Sequence, residues 1–389
     1  MDFNYPPEAE ALRDELRAWL DEHWTDEYRS LPSLFACTLG SFELAKHQEW
    51  NASLADAGFA AISWPVELGG RGASVMEQVV FAEELHRAGA PHTVNLIGLS
   101  NVAPSIMSYG TDEQKTTLLP RMRRGDDIWC QGFSEPDAGS DLASLTTSAV
   151  RDGDDYLVNG QKTWNTLGHL ANWCELLVRT DTEAPKHKGI SCLLVDMTLP
   201  GIEVRPLTTI VGDSEFNEIF FTDARVPASA LLGAENEGWR VAMTTLNNER
   251  GGVAALHLGL RSKISDLLEQ AKTTRTGIAD RMVADEPALR QRLALLYLEG
   301  ELLKMLADRA ISGAIHGREL GPEASLAKLV WSETSQHVGE VAGDVLGPDA
   351  NSGAWGRDRV AMRSYTIAGG TTQVNKNIIA QRVLGLPRS

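Results

Sequence analysis

The chain has 389 residues, 43% of them hydrophobic, and a formal net charge of −17. That length allows two or three domains and a large core, while the acidity excludes the basic footprint of a nucleic-acid binder and suits an anionic membrane poorly. No run reaches the roughly 18 apolar residues that cross a bilayer; Cys37, Cys130, Cys174 and Cys192 form no CxxC pair and no HExxH occurs, so no metal site is expected.

The opening segment MDFNYPPEAEALRDELRAWL carries acids and no apolar h-region, so it reads as an amphipathic helix and not as a targeting peptide. A cytoplasmic location with free, buried thiols is the expectation that follows. Leu12, Leu16, Trp19 and Leu20 recur at helical spacing. A second helix is expected from Phe42 to Leu54 and a third from Ser74 to Arg87, with a Pro/Gly break at Trp64–Gly72 between them. After Gly125 the period changes. Tyr156–Val158, Cys174–Val178, Ile190–Val195, Ile202–Val204 and Ile219–Phe221 read as strands, with Asp152-Gly153-Asp154 and Asn159-Gly160 as turns. Helices return at Glu237. Trp239, Met243, Leu246, Val253 and Leu260 form one stripe, and Leu289–Ile311 and Ala324–Leu346 are two further long helices. The expected domains are 1–125 (helical), 126–234 (β) and 235–389 (helical bundle), an α+β chain. Neither GxGxxG after a strand nor GxxxxGK occurs, so any nucleotide is held by other means.

Phe133-Ser134-Glu135-Pro136-Asp137-Ala138-Gly139-Ser140-Asp141 resembles the signature of the acyl-CoA dehydrogenase family. Trp64-Pro65 with Gly69-Gly70-Arg71-Gly72, Gly110-Thr111-Asp112-Glu113-Gln114-Lys115, Asn159-Gly160-Gln161-Lys162-Thr163-Trp164-Asn165-Thr166 and Arg225-Val226-Pro227 follow in the family's order. The resemblance covers nearly the whole chain. It implies an N-terminal helical domain, a middle β-barrel domain, a C-terminal four-helix bundle, bound FAD, and a tetramer or dimer, homomeric or built with a related chain. It also implies an acyl-CoA substrate and an electron-transfer flavoprotein as acceptor.

A lone serine in a turn usually caps it, and a lone tryptophan in a strand usually packs in a core. Family order assigns more here: Phe133, Ser134, Trp164 and Thr166 to the flavin ring, with Trp164 and Thr166 on one side of a strand. Gly139 lets backbone approach a phosphate beside Ser140. Thr371-Thr372-Gln373 matches a segment whose Thr and Gln contact FAD, and Arg275 lies near an expected arginine although its R-x-x-F-G context is missing.

The reaction needs a carboxylate beside the substrate α carbon while the β hydride passes to flavin N5. In most relatives that carboxylate lies in Y-E-G-T near the C-terminus, but here the segment is Ala368-Gly369-Gly370-Thr371. A minority place it on the helix after the β domain, before an arginine, which points to Glu249 and Arg250. Glu249 lies three residues after Leu246 and four before Val253, on their apolar face. Arg250, Ser140 and Gly369 are the expected substrate contacts, Gly369 leaving room for a branched or bulky acyl group. A flavin oxidase or monooxygenase, and a non-catalytic subunit of a mixed tetramer, remain as alternatives on the same fold.

Overall fold

Leu12, Leu16 and Leu20 are all buried along one face of the first helix, as their spacing requires. The computed structural model describes residues 5–34, 39–91, 93–249, 255–276, 281–317 and 321–387, with Glu249 described in its backbone only. In chain order the described elements are α1 (Pro7–His23), α2 (Asp26–Arg29), α3 (Ser41–Asp56), α4 (Val75–Ala88), α5 (Ala103–Tyr109), α6 (Asp112–Arg124), β1 (Trp129–Gly132), β2 (Ser148–Asp152), β3 (Asp155–Lys162), β4 (Trp173–Arg179), β5 (Ile190–Asp196), β6 (Ile202–Leu207) and β7 (Phe216–Pro227). They continue with α7 (Gly238–Glu249), α8 (Leu256–Thr273), α9 (Pro287–Ile315), α10 (Glu323–Leu346), α11 (Gly353–Ala361) and α12 (Thr372–Ile378). Val253 and Arg250 lie outside the described residues.

The chain divides into two compact units. One joins residues 1–14 and 75–87 to 250–389; its core is made by Leu260, Ile264 and Leu267 of α8, Leu296 and Leu303 of α9, and Val338, Val341 and Val345 of α10. The other, 15–74 with 88–249, holds the sheet and the helices that precede and follow it. Its strand order is β1-β4-β2-β3-β7-β6, with β5 also paired to β4. β4 is buried on both faces. Cys174, Leu176 and Val178 face one core, while Trp173 and Leu177 face another shared with α5, α6 and α7.

Two local features differ from expectation. β1 and β2 are additional strands, too short and mixed to stand out by alternation. Asn159-Gly160 is no turn: it lies inside β3, where the pairing with β7 shifts register. Two residues of β7, Thr222 and Asp223, oppose Asn159 of β3 there, and Asp223 takes a left-handed φ of 50°. The Asn159 side chain closes the bulge, accepting from Asp223 N at 2.9 Å and donating to its carboxylate at 3.0 Å. Glycine is required at 160 because a Cβ would stand 2.5 Å from Thr147 Oγ1.

At the start of α6, Thr111 and Gln114 form a reciprocal capping box. The Gln114 amide also donates to the carbonyls of Ser229 and Leu231, fixing this helix to the exit of the sheet. Cys130, Cys174 and Cys192 are free and buried, as expected; Cys37 lies outside the described residues. No described helix is long and apolar enough to cross a membrane, and no metal-ligand cluster occurs among the described residues.

Candidate active site

The signature loop hangs on one buried ion pair. Glu135 follows β1 and Lys162 ends β3, and their side chains meet at 2.8 Å with only 5% and 0% of each exposed. Burial alone raises the Glu135 pKa, but the Lys162 charge and donors from Thr146 and Thr147 outweigh it and hold the carboxyl at about 2. Burial pulls Lys162 down to about 8 against the attraction of Glu135, so both groups are charged near neutral pH. Lys162 also donates to the Phe133 carbonyl at 3.1 Å, and the Thr146 and Thr147 amides donate to Glu135 at 2.7 and 2.8 Å. The turn Glu135–Ala138 thus has every carboxylate oxygen satisfied, as a buried charge demands.

This brace brings the two ring-side motifs together. Thr163 N donates to Ser134 O at 2.9 Å, and Asn165 Nδ2 donates to Gln131 O at 2.6 Å. On the other side, Asn165 N and Leu167 N donate to the carbonyls of Asn217 and Glu215 at 3.1 and 2.9 Å. Trp164 and Thr166 are therefore not on a strand, contrary to expectation: β3 ends at Lys162, and the following residues form a strap held at both sides. Between these anchors Trp164 takes a φ of 62°, unusual for so bulky a residue. Its indole is 62% exposed and packs edge-on against Phe216 at 5.8 Å. A strained residue presenting a large exposed apolar ring, on a strap bonded to the loop of the half-buried Ser134, fits one wall of a planar ring system. The ring of Phe133 is turned into the core, so only its backbone is left for the loop surface. Ser140 is exposed, and a Cβ on Gly139 would meet no protein atom within 4 Å. Nothing within the chain demands glycine there.

In the other unit, the C-terminal motif forms its own turn. Gly369 and Gly370 have φ of 62° and 88°. The Gly370 carbonyl accepts from Lys328 Nζ at 2.8 Å and Asn375 Nδ2 at 2.7 Å. Thr371 caps α12, its hydroxyl accepting from Val374 N. The neighbouring Thr372 hydroxyl is buried with no partner among the described residues, so it is the better free donor of the two. Gln373 and Arg275 are exposed. The strained, exposed indole fits the face of a flavin-like ring, with the Ser134 and Thr166 hydroxyls on the joined loop and strap; the unpartnered Thr372 hydroxyl belongs to the other unit.

Sequence reading passed over three groups. Glu135 and Lys162 lie in the quoted motifs, but their pairing is a tertiary fact. Glu175 stands in the apolar run of β4, and an acid in such a run was the available signal. It is fully buried, and desolvation raises it to about 8 although Thr245 and Gln131 act to lower it.

A cavity of about 380 Å³ lies in the sheet-bearing unit, lined by Trp24, Tyr28, Leu34, His47, Leu96 and Leu167, the last adjoining Thr166. His47 is 3% exposed; its Nε2 donates to Pro32 O at 3.0 Å, and burial lowers its pKa, which leaves Nδ1 as a neutral acceptor. Neither that Nδ1 nor the lining Thr93 hydroxyl has a partner among the described residues.

Helical elements precede and follow a curled sheet, and the strap after β3 presents an exposed tryptophan beside a braced loop. The comparisons give the family. The N-terminal, middle and C-terminal domain models of acyl-CoA dehydrogenase match residues 6–126, 130–224 and 236–384. The acyl-CoA dehydrogenase IpdE1 of Mycobacterium tuberculosis (strain ATCC 25618 / H37Rv) is 39% identical over 388 residues, covering 98% of each chain. Among solved structures, the ChsE4-ChsE5 complex from Mycobacterium tuberculosis aligns with a TM-score of 0.83 and 35% identity over 100% of both chains. The Tcur3481-Tcur3483 steroid ACAD aligns at 0.86 and 32%, again over 100% of both. The chain belongs to the acyl-CoA dehydrogenase family and is an enzyme of acyl-CoA dehydrogenation.

Proposed function

We propose that this chain desaturates a ring-bearing or otherwise bulky acyl-CoA between its α and β carbons, with Glu249 removing the α proton. The observation that carries the reading is the mutual pinning of the signature loop and the 163–167 strap, which ties the loop of Ser134 to the strap that bears Trp164 and Thr166. When bound, FAD supplies the acceptor for the hydrogen and electron pair leaving the β carbon. The chain's own part is to orient and to take the proton. Ser134 and Thr166 offer hydroxyls toward the ring, and Trp164 walls it. Position 249 ends α7, one turn after the buried Thr245. Gly369 supports assigning the base to Glu249, because it has no side chain and its left-handed backbone disfavours one. Arg250 and Ser140 are assigned to the substrate.

Three features support a bulky acyl group: the absent side chain at Gly369, the cavity beside Leu167, and relatives described as steroid enzymes. The test is anaerobic titration of the purified, FAD-loaded protein with straight, branched and ring-bearing acyl-CoAs. Flavin bleaching is expected with all that bind, fastest with the ring-bearing set. A preference for short straight chains overturns the substrate assignment, and oxygen uptake without an enoyl product overturns the reaction.

Assembly with a related chain is part of this reading, since solved relatives are two-component complexes. Leu295, Leu298, Leu302 and Met305 are each more than half exposed on α9 at spacings of three and four, forming an apolar stripe. A Leu298→Glu/Leu302→Glu variant is expected to lower the mass measured by light scattering while keeping helical content; unchanged mass removes the stripe from the interface. The physiological acceptor proposed is an electron-transfer flavoprotein, and the proposed location is the cytoplasm.

A further inference from the structure

Glu175 is a fully buried acid with no part in the chemistry above. It sits on the face of β4 that also carries Trp173 and Leu177. Its Oε1 is 2.7 Å from Thr245 Oγ1 of α7, and that hydroxyl is 2.7 Å from Ser105 Oγ of α5. All three side chains are completely inaccessible. Gln131 of β1 stands close enough to lower the acid's pKa, and Asn101 reaches Gln131 at 3.4 Å. Yet Glu175 Oε2 and Gln131 Nε2 each lack a hydrogen-bond partner of good geometry among the described residues. Thr245 is four residues, one helical turn, before position 249.

We propose that Glu175 is a positioning residue: through Thr245 and Ser105 it locks the final turn of α7 to β4 and α5, and so sets where residue 249 stands. This rests on the reading of Glu249 as the base. An apolar residue at 175 would fill the space more cheaply, because a buried polar chain specifies one arrangement where oil-like contacts tolerate sliding. The lock uses the neutral acid. The groups facing Glu175 are neutral too: Thr245 from α7, Ser105 from α5, Gln131 from β1, Cys174 beside it and Cys192 on β5. Both thiols are held well above their ordinary range, Cys174 first by its hydrogen bond with the Cys130 thiol and then by burial, Cys192 by burial. With its folded value near 8 against 4.5, Glu175 favours the folded state fully below pH 4.5. That contribution is lost as pH rises through 8, where a buried, unpaired carboxylate would form.

The experiment compares the parent with Glu175→Gln, Glu175→Leu and Thr245→Val, all FAD-loaded. Single-turnover bleaching by an acyl-CoA is measured across pH, with amide hydrogen exchange of residues 243–249 as a structural readout. Glu175→Leu and Thr245→Val are expected to slow bleaching at least about tenfold, with KM held within about twofold, and to speed exchange in that turn. Glu175→Gln keeps a neutral side chain that can hydrogen-bond; it is expected to hold the parent rate near pH 7 and to lose the parent's decline above pH 8. Bleaching and exchange unchanged in both Glu175→Leu and Thr245→Val would overturn the proposal, as would an alkaline decline shared by parent and Glu175→Gln. Should Glu175→Leu fail to fold, Thr245→Val decides. A parent that never bleaches overturns the reaction itself, a result separate from these.

Discussion

Glu249→Gln is expected to keep its FAD and lose flavin bleaching by about 10³-fold or more, within the range ascribed to a positioned general base. The α hydrogen of a thioester is a weak acid, so the step needs a carboxylate at contact distance. A glutamine has the same length and no basicity. Gln is also a good helix former, so the last turn of α7 has no reason to unwind. The check is anaerobic bleaching together with exchange of the substrate α hydrogen in deuterated water; both are expected to stop. Parent-like rates would place the base elsewhere. Restoring a carboxylate as Gly369→Glu in the same protein is not expected to rescue it, because φ at 369 is 62° and a side chain there costs roughly 1–2 kcal/mol.

The largest expected loss of stability comes from Lys162→Met, about 3–5 kcal/mol, because it leaves Glu135 buried without its countercharge. The same change frees the Phe133 carbonyl and loosens the ring-side loop, so FAD content is expected to fall with the melting temperature. Glu135→Gln/Lys162→Met is expected to recover much of the loss, since removing both charges removes the stranded one. A single and a double variant of equal stability would show that the pair matters little. The pH dependence has a definite sign. Glu135 falls from 4.5 to about 2 on folding, so its contribution is complete above pH 4.5 and is lost as pH falls through 2. Glu175 acts oppositely, and stability measured from pH 5 to 8 is expected to decline less in Glu175→Gln than in the parent.

How much was legible in the sequence varied with the range of the interaction. The helical stripe of α1 and the changes of period near Gly125 and Glu237 are local patterns, and the elements appeared where they pointed. The short strands β1 and β2 were not visible, because four or five residues carry too little alternation to separate from a loop. Asn159-Gly160 looked like a turn since its composition suits one; pairing with β7 and the approach of Thr147 made it a bulge. Trp164 looked like a strand residue until hydrogen bonds from both sides drew the chain off the sheet.

The sequence by itself determined the family, the order of helical and sheet segments, and the family's motifs, because these depend on residue type and spacing along the chain. Tertiary structure alone decided that Glu135 and Lys162 neutralise each other and that Glu175 is an uncharged acid tied to α7. The physical reason is that charge state and hydrogen-bond availability depend on burial and on partners 27 to 140 residues away in the chain, and no local pattern encodes either.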